Sequence, residues 1–502
     1  MNAEAQYRNL SLVRMTARPV GLLLLVLAVS IAACGVLGFL GQPEDGWAAA
    51  DTMEGFHHML TSAGITAGAG LLFLISSIGT PEKIGRREAL FVVSTIWLAL
   101  GLFGAIPFFI GAKMSWADAI FEAFSGFTTT GGTILPVIED RLSAPVHVWR
   151  MATHWLGGLG IVVLFVAMLP SLGVGGKRLF QSEAAGPQTG GISPRIRDTA
   201  KMLLWIYLSL TLAQVAALKL VGMPWFDAVT HSMSTLGTGG FSTKNGSIAE
   251  YNSFGIEMVI LVFMLLAGTN FSLFHSARNH GLNVFWKSNE FRLYVTLFAG
   301  ATTIIAADLA LAQTSDIGTS LRHASFQVAA IMTTTGFGTA DFEEWSTVSR
   351  LLLLTLYFCG GMAGSTAGGM KLIRIMIILK VVAREIRIGF RPTLVAPVRV
   401  GEEAVPDGIV RATLAYALIF LATVMVGAIA VAIMDPLDLT TALMASLACV
   451  ANVGPGLGAV GPTDNFALFS DGSKMVLSFC MLLGRLEFFS LLALFVPGFW
   501  RR

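Results

Sequence analysis

Four short glycine-containing segments recur along the chain, and their residue types suit the coordination of a dehydrated cation. They read Thr129-Thr130-Gly131-Gly132, Gly237-Thr238-Gly239-Gly240, Thr334-Thr335-Gly336-Phe337 and Asn452-Val453-Gly454-Pro455. A row of peptide carbonyls can replace the hydration shell of a cation, and four rows around one axis give a ring of oxygens at each level. Glycine suits this use because it turns carbonyls inward and leaves no side chain in the conduit. The recurrence therefore predicts the lining of a cation pore.

Each segment follows a helix-compatible stretch that is too short to cross a membrane. These stretches are Ser115–Thr128, Met223–Thr235, Thr319–Thr333 and Leu437–Ala451. Their C-terminal ends point at the glycine loops, where the negative end of the helix dipole favours a cation. Aligning Gly131, Gly239, Gly336 and Gly454 places the copies about 100 residues apart. One glycine pair would be an ordinary turn in an outer loop, but four evenly spaced copies favour a pore.

The composition excludes a soluble protein. Of the 502 residues, 54% are hydrophobic and 13% are charged, whereas soluble domains carry about 25% charged residues. Apolar runs of roughly 20 residues predict ten membrane spans. They cover about 19–41, 57–79, 89–112, 148–170, 202–221, 254–275, 293–313, 351–370, 409–434 and 475–498.

These elements predict an all-α polytopic membrane protein with about ten transmembrane helices. Four pseudo-symmetric repeats, each a span, a short pore helix, a glycine loop and a second span, surround a central pore, and two extra helices precede them. The predicted divisions are 1–84 for the N-terminal pair, 85–185, 186–280 and 281–400 for the first three repeats, and 401–502 for the fourth.

The distribution of charge predicts which side of the membrane each loop faces. Loops 80–88, 171–201 and 371–399 are rich in lysine and arginine, and the chain ends in Arg501 and Arg502. By the positive-inside rule these segments face the cytoplasm, and an even number of spans puts both termini there. The outer loops are acidic, as at Glu343 and Glu344, which would concentrate cations.

The motifs resemble those of the Trk/Ktr/HKT superfamily of potassium transport proteins, and most closely those of its TrkH/TrkG branch. The resemblance rests on the four glycine segments, on the glycine-rich stretch 360–369 and on Leu483-Gly484-Arg485-Leu486-Glu487, and it covers about residues 85–500. It implies a homodimer in the bacterial cytoplasmic (inner) membrane that binds a cytosolic nucleotide-binding subunit of the TrkA type. Potassium is then the substrate, no cofactor is covalently bound, ATP or NAD acts only through the partner, and nucleic acid is not a partner.

The resemblance also assigns roles to individual residues. The potassium filter would consist of Thr129, Thr130, Gly131, Gly237, Thr238, Gly239, Thr334, Thr335, Gly336, Asn452, Val453 and Gly454. Glycine at all four aligned positions favours potassium, because relatives with a serine at the first position tend to pass sodium. The gate would consist of Gly360, Gly361, Gly364, Ser365, Thr366, Gly368, Gly369 and Arg485.

Both gate elements have alternative interpretations. A charge within a span costs about 2.5–3.5 kcal/mol on insertion scales, so Arg485 is either a barrier in the ion path or a structural partner of Glu487 or of loop carbonyls. Stretch 360–369 contains five glycines and is unlikely to form a regular helix. It is either an intramembrane loop that obstructs the pore or a close helix crossing of small residues.

Two other function classes are alternatives to a gated channel. A proton- or sodium-coupled symporter needs a titratable group that alternates access, yet Glu487 is the only carboxylate plainly in mid-membrane by this reading. A remote alternative is an intramembrane hydrolase using Ser365 and His154, but Ala363 and Ala367 replace the glycines of a nucleophile elbow. Segment 173–178 lacks the full pattern of a phosphate loop. Polar groups such as His154 and Asn270 are expected to bond between helices.

Overall fold

The structure is a computed structural model, which describes residues 3–41, 49–78, 86–139, 141–168, 196–312, 316–394, 396–401 and 403–500. Residues 80–85 and 171–195 of the predicted basic loops, the chain ends and the predicted boundaries at 84/85 and 185/186 lie outside these ranges. In the described residues the regular secondary structure is helical, apart from a two-stranded antiparallel hairpin of β1 (Arg399–Val400) and β2 (Glu403–Ala404).

Two long N-terminal helices, α1 (Ala3–Leu40) and α2 (Ala49–Ser76), pack along each other and against the first repeat. They approach closely where small residues meet, since a Cβ atom on Gly21 would lie 2.8 Å from the carbonyl oxygen of Gly70. Small residues let membrane helices come into backbone contact, which supplies packing where the lipid gives no hydrophobic drive. This pair is the predicted N-terminal addition.

Four repeats follow, each with a first helix, a short pore helix, an extended segment and a second helix. The first repeat has α3 (Arg86–Gly104), α4 (Ile106–Gly111), α5 (Trp116–Phe127) and α6 (Ala144–Met168). The second has α7 (Ile196–Leu220), α8 (Trp225–Gly237), α9 (Phe254–Ala267) and α10 (Phe271–His280), followed by α11 (Asn283–Lys287). The third has α12 (Asn289–Leu311), α13 (Ile317–Met332), α14 (Thr347–Leu356) and α15 (Leu372–Phe390). The fourth has α16 (Asp407–Met434), α17 (Leu439–Ala451), α18 (Asp471–Arg485) and the short α19 (Phe489–Leu492) and α20 (Pro497–Trp500).

The four pore helices α5, α8, α13 and α17 confirm the predicted short helices. Three begin at a side-chain cap that accepts hydrogen bonds from free amides of the first turn: Ser115, Asp316 and Asp438. Their C-terminal halves are almost entirely buried, as in α17, where residues 444–451 are all buried. The pore helices therefore form the centre of the molecule.

The long helices confirm most predicted spans. In the described part of the chain, six segments are long and apolar enough to cross a membrane: Thr16–Leu40, Asp51–Ser76, Arg87–Gly111, Thr199–Leu220, Asn289–Leu311 and Asp407–Met434. Large apolar side chains are exposed along them, including Leu220, Leu311 and Ile433 at 88%, 83% and 79%. A surface of this kind suits contact with lipid.

Three predicted spans are not continuous helices. Helices α9 and α10 meet at 90°, and α18 meets the segment Phe489–Phe495 at 110°. The first break follows from Gly268 and from Asn270, whose side chain caps α10 by accepting from the amide of Ser272. The second break lies at Glu487 and Phe488, both with positive φ. The eighth span, predicted over 351–370, stops being helical after Leu356.

Candidate functional site: a ring of four backbone segments and the loop beneath it

The four glycine segments share one backbone conformation. Each has a left-handed residue, then one residue of ordinary φ, then a left-handed glycine. The pairs are Thr129 and Gly131 (φ 53° and 82°), Thr238 and Gly240 (54° and 81°), Thr334 and Gly336 (57° and 80°), and Asn452 and Gly454 (55° and 90°). Left-handed backbone is uncommon outside glycine, so its repetition at four matched sites defines their alignment.

This alignment corrects the sequence-based register of the second repeat by one residue. Gly240, and not Gly239, is the counterpart of Gly131, Gly336 and Gly454. The string Gly237-Thr238-Gly239-Gly240 offers two registers, and only the backbone angles distinguish them. Gly237 ends helix α8, one residue before the segment, while Gly239 remains inside it.

The four segments contact one another in a closed cycle. A Cβ atom on Gly131 would lie 1.9 Å from the carbonyl oxygen of Gly239 in the next repeat. The corresponding distances are 2.0 Å from Gly240 to the Thr335 oxygen, 2.2 Å from Gly336 to the Val453 oxygen and 2.5 Å from Gly454 to the Thr130 oxygen. Each glycine thus faces the middle carbonyl of the following repeat, and the fourth repeat returns to the first. A ring built this way has no room for side chains at the four glycines.

In three of the four repeats, a polar side chain on the pore helix bonds to residues that follow the glycine segment. Glu122 accepts hydrogen bonds from the Thr133 hydroxyl (3.0 Å) and the Ile134 amide (3.1 Å). His231 and Gln327 occupy the same position as Glu122, seven residues before the left-handed residue of their segments. His231 lies 2.9 Å from the Ser242 hydroxyl, and Gln327 donates to the Ala340 carbonyl at 3.2 Å. The fourth repeat has Ala445 there. The sequence analysis does not predict these supports, although the sequence contains their shared spacing.

A buried arginine contacts the residues that directly follow the second glycine segment. Arg150 is paired with Glu122 at 2.7 Å, and both side chains are at most 1% exposed. Its guanidinium also donates to the Ser242 carbonyl at 2.9 Å and lies 3.6 Å from the centre of the Phe241 ring. These contacts join the first and second repeats through charge-assisted and cation–π interactions.

Residues 357–371 form a non-helical loop inside the helical bundle, which confirms that stretch 360–369 interrupts the eighth span. Its ends are joined by hydrogen bonds from Gly360 to Met370 (2.8 Å) and from Leu372 to Gly361 (3.3 Å). It is bonded to the break between α9 and α10 through three backbone contacts: Met362 to Gly268 (2.9 Å), Thr366 to Ala267 (3.3 Å) and Phe271 to Gly364 (3.1 Å). Irregular backbone of this kind survives at membrane depth only when it is buried in protein or faces water.

Glu290, on helix α12, bonds to the middle of this loop and to the first turn of helix α15, which follows it. Its Oε1 accepts hydrogen bonds from the amides of Ala363 (2.8 Å) and Ile373 (3.1 Å), and the side chain is fully buried. Glu122 and Glu257 are buried carboxylates as well, and Glu257 forms two 2.6 Å hydrogen bonds with Arg322. Glu122, Glu257 and Glu290 are thus three carboxylates inside the protein that the sequence did not single out.

Arg485 ends helix α18 and is 2% exposed. It donates to the carbonyl oxygens of Thr366 in the loop (3.0 Å) and of Gly157 in α6 (3.3 Å). Glu487 does not pair with it but with Arg374, at 2.6 Å, and Arg374 stacks 4.0 Å from the centre of the Tyr416 ring. Of the two structural partners considered for Arg485, the loop carbonyls are the ones it contacts.

The outer side of the ring opens into a cavity lined by polar and charged groups. Its wall includes Lys244, Asp464 and Gly461. Nearby, Glu343 accepts a hydrogen bond from the amide of Gly458, and burial together with the carboxylates of Asp341 and Asp464 raises its pKa. Lys244 pairs with Glu139 at 2.7 Å, and this hydrogen bond raises the pKa of the lysine.

The structure does not assemble a hydrolase site. The Ser365 hydroxyl donates to the Met362 carbonyl at 2.6 Å, whereas His154 lies 3.1 Å from the Ser234 hydroxyl and stacks on Phe241. His154 therefore bonds between α6 and α8, as expected, while Asn270 caps its own helix. Among the described residues, no group of three or more His, Cys, Asp or Glu side chains could hold a metal ion. Segment 173–178 lies outside the described residues.

Comparison with known proteins places this architecture in a family. The sequence profile of TrkH, described as a cation transport protein, matches residues 61–501. The chain belongs to the TrkH family. It is 38% identical over 497 residues to the Trk system potassium uptake protein TrkH of Halomonas elongata, covering 97% of this chain and 99% of that protein. It is 39% identical over 430 residues to the TrkH of Escherichia coli K12, covering 84% and 87% of the two chains.

A solved structure is similar over the same length. The crystal structure of the potassium transporter TrkH from Vibrio parahaemolyticus superposes with a TM-score of 0.87 at 34% identity, covering 97% of this chain and 99% of that one. These relatives are named as transporters and not as enzymes. The chain is accordingly a multi-pass membrane transporter of the TrkH family, with the predicted four-repeat helical fold.

Proposed function

We propose that this chain takes up potassium across the bacterial cytoplasmic membrane through the ring of four backbone segments. The observation that carries the proposal is the closed cycle in which each left-handed glycine faces the middle carbonyl of the next repeat. Four carbonyl rows held by buried pore helices replace a hydration shell without a side chain in the path. The relatives named as potassium uptake proteins support potassium as the ion.

The loop 357–371 and Arg485 are proposed as the gate on the cytoplasmic side of the ring. A buried guanidinium bonded to a loop carbonyl both repels cations and holds the loop in place. The loop is held by the second repeat at Gly268, by Glu290 and by Arg485. We propose that the loop has two arrangements: the one seen here, called the seated loop, and a released one in which these attachments are broken.

The regulatory partner is proposed to act on the end of helix α15. Leu379, Ile386 and Phe390 are 59–65% exposed there, beside the basic residues Arg387 and Arg391. An exposed face that combines apolar and basic groups suits a protein partner. A cytosolic subunit that binds ATP or NAD would pull on α15, which follows the loop directly. We also propose that the chain forms a homodimer and that both of its termini lie in the cytoplasm.

The function is tested with purified protein in liposomes. Potassium, rubidium and sodium uptake are measured with membrane potential and proton gradient set separately, beside liposomes without protein. The proposal expects potassium and rubidium flux that follows the potential alone. Flux that requires a proton or sodium gradient would instead make the chain a symporter, and no flux above empty liposomes would overturn the proposal.

A further inference from the structure

The seated loop bonds directly to the filter. Among the described residues, it donates a hydrogen bond to the threonine hydroxyl in one of the three repeats that carry threonine at this level. The amide of Gly368 donates a 2.6 Å hydrogen bond to the Thr334 hydroxyl. The same residue packs on the fourth repeat, because a Cβ atom on Gly368 would lie 2.7 Å from the Cβ of Asn452. Thr334 and Asn452 are the left-handed residues of their repeats. The loop therefore lies against the inner end of the ring.

The equivalent residues of the other repeats provide a comparison. Thr238 directs its hydroxyl to the carbonyl of its neighbour Gly237 at 2.6 Å. The Thr129 hydroxyl is fully buried and has no hydrogen-bond partner within the described residues, and the same holds for Oδ1 of Asn452. Unpartnered buried oxygens are rare because they lose their hydration without compensation. At the end of a cation path, such oxygens are available as ligands.

We propose that the inner end of the ring is a potassium site that includes the Thr334 hydroxyl, and that the seated loop competes with potassium for this oxygen. This inference rests on the proposed function. A hydroxyl oxygen has two lone pairs, and the Gly368 amide uses one of them. The amide also directs the positive end of its dipole at this oxygen, which weakens the attraction of the oxygen for a cation. Potassium at this level and the seated loop therefore disfavour each other.

The competition has a consequence in both directions. If a seated loop lowers the affinity for potassium at this level, then potassium lowers the stability of the seated loop by the same factor, since coupling between two binding equilibria is reciprocal. Ions arriving through the ring would thus favour release of the loop. Potassium binding in the filter and release of the gate loop would thus be coupled through Thr334.

The test is hydrogen–deuterium exchange of residues 360–372 in the full-length protein, compared between potassium and N-methylglucamine buffers. In the wild type the Gly368 amide is expected to exchange roughly threefold or more faster in potassium. In Thr334→Val, exchange is expected to be fast in both buffers, with a ratio near one, because the acceptor oxygen is absent. Thr334→Ser keeps the hydroxyl and is expected to restore the potassium dependence.

Thr423→Val is the matched control, since it removes a threonine hydroxyl that bonds to the Ile419 carbonyl of its own helix, α16, outside the ring and the loop. It is expected to keep the potassium dependence of Gly368 exchange. A wild-type ratio of one, or a ratio that Thr334→Val leaves unchanged, would overturn the inference. The wild-type measurement decides even if a variant does not fold. Liposome flux separates the two proposals, because flux without potassium-dependent exchange removes only this inference.

Discussion

The guanidinium of Arg485 and the carbonyl oxygen of Thr366 are joined by a 3.0 Å hydrogen bond that links the fourth repeat to the loop of the third. The same guanidinium reaches Gly157 of the first repeat, and Thr366 in turn bonds to Ala267 of the second. One arginine thereby connects all four repeats beneath the ring. Its loss should release the loop and also remove a positive charge from the path.

Arg485→Ala is expected to raise partner-free potassium flux in liposomes by roughly 10- to 100-fold, since hydrogen bonds to a charged group contribute about 1.5–3 kcal/mol each. Arg485→Lys keeps the charge but cannot span two carbonyls with a planar fork, so an intermediate flux is expected. Unchanged flux in both variants would show that Arg485 is a structural residue only.

Gly336→Ser tests the ring geometry. Its Cβ would lie 2.2 Å from the Val453 oxygen, at a φ of 80°, so the carbonyl must shift and the ring should lose selectivity. We expect the ratio of potassium to sodium flux to fall by about tenfold or more, which corresponds to roughly 1.4 kcal/mol of lost discrimination. Gly338→Ser is the matched control, because the nearest atoms to its Cβ are 4.0 Å away. Equal effects of the two substitutions on selectivity would contradict the assignment of the ring as the potassium filter.

Glu122→Gln tests the electrostatic balance of the buried pair with Arg150. The variant leaves Arg150 buried without its counter-charge, and breaking a buried ion pair from one side costs about 3–5 kcal/mol. We expect a lower thermal midpoint and weaker apparent potassium affinity. The double variant Glu122→Gln with Arg150→Gln should recover most of the affinity, because the unpaired cation is gone. Additive losses in the double-mutant cycle would show that the two residues act independently.

Glu343, near the cavity on the outer side of the ring, is expected to make potassium affinity depend on pH. Because its pKa is raised in the folded chain, the folded state holds this proton to higher pH than the unfolded chain does. The group therefore reduces stability as the pH rises through its titration, and on acidification it loses its charge before carboxylates with ordinary pKa values. We expect the apparent potassium affinity to weaken as pH falls from 7 toward 5. Glu343→Gln should reduce this dependence. An identical pH profile in the variant would show that Glu343 does not cause it.

The sequence predicted the repeats, the pore helices and the non-helical stretch 360–369 because each depends on local composition. Hydrophobic runs define spans, and clustered glycines prevent helix formation. The sequence did not predict the register at Gly240, since two glycines in succession permit two alignments. It also missed the bends at Asn270 and Glu487, which depend on a side-chain cap and on backbone angles set by packing.

The polar supports of the site were the least predictable part. Glu122 and Arg150 lie in different helices, and Glu290 bonds to amides more than 70 residues away in the chain. Nothing local to these residues specifies their partners, because the pairing arises only when the repeats assemble. The spacing shared by Glu122, His231 and Gln327 was the one available signal.

The most direct test of the central claim is a crystal structure of this chain soaked in rubidium, with anomalous difference maps. The account predicts a rubidium peak on the axis of the ring, within coordination distance of the carbonyl oxygens of Thr130, Gly239, Thr335 and Val453. Rubidium bound elsewhere in the membrane region, with no peak at the ring in a protein that transports it, would contradict the account.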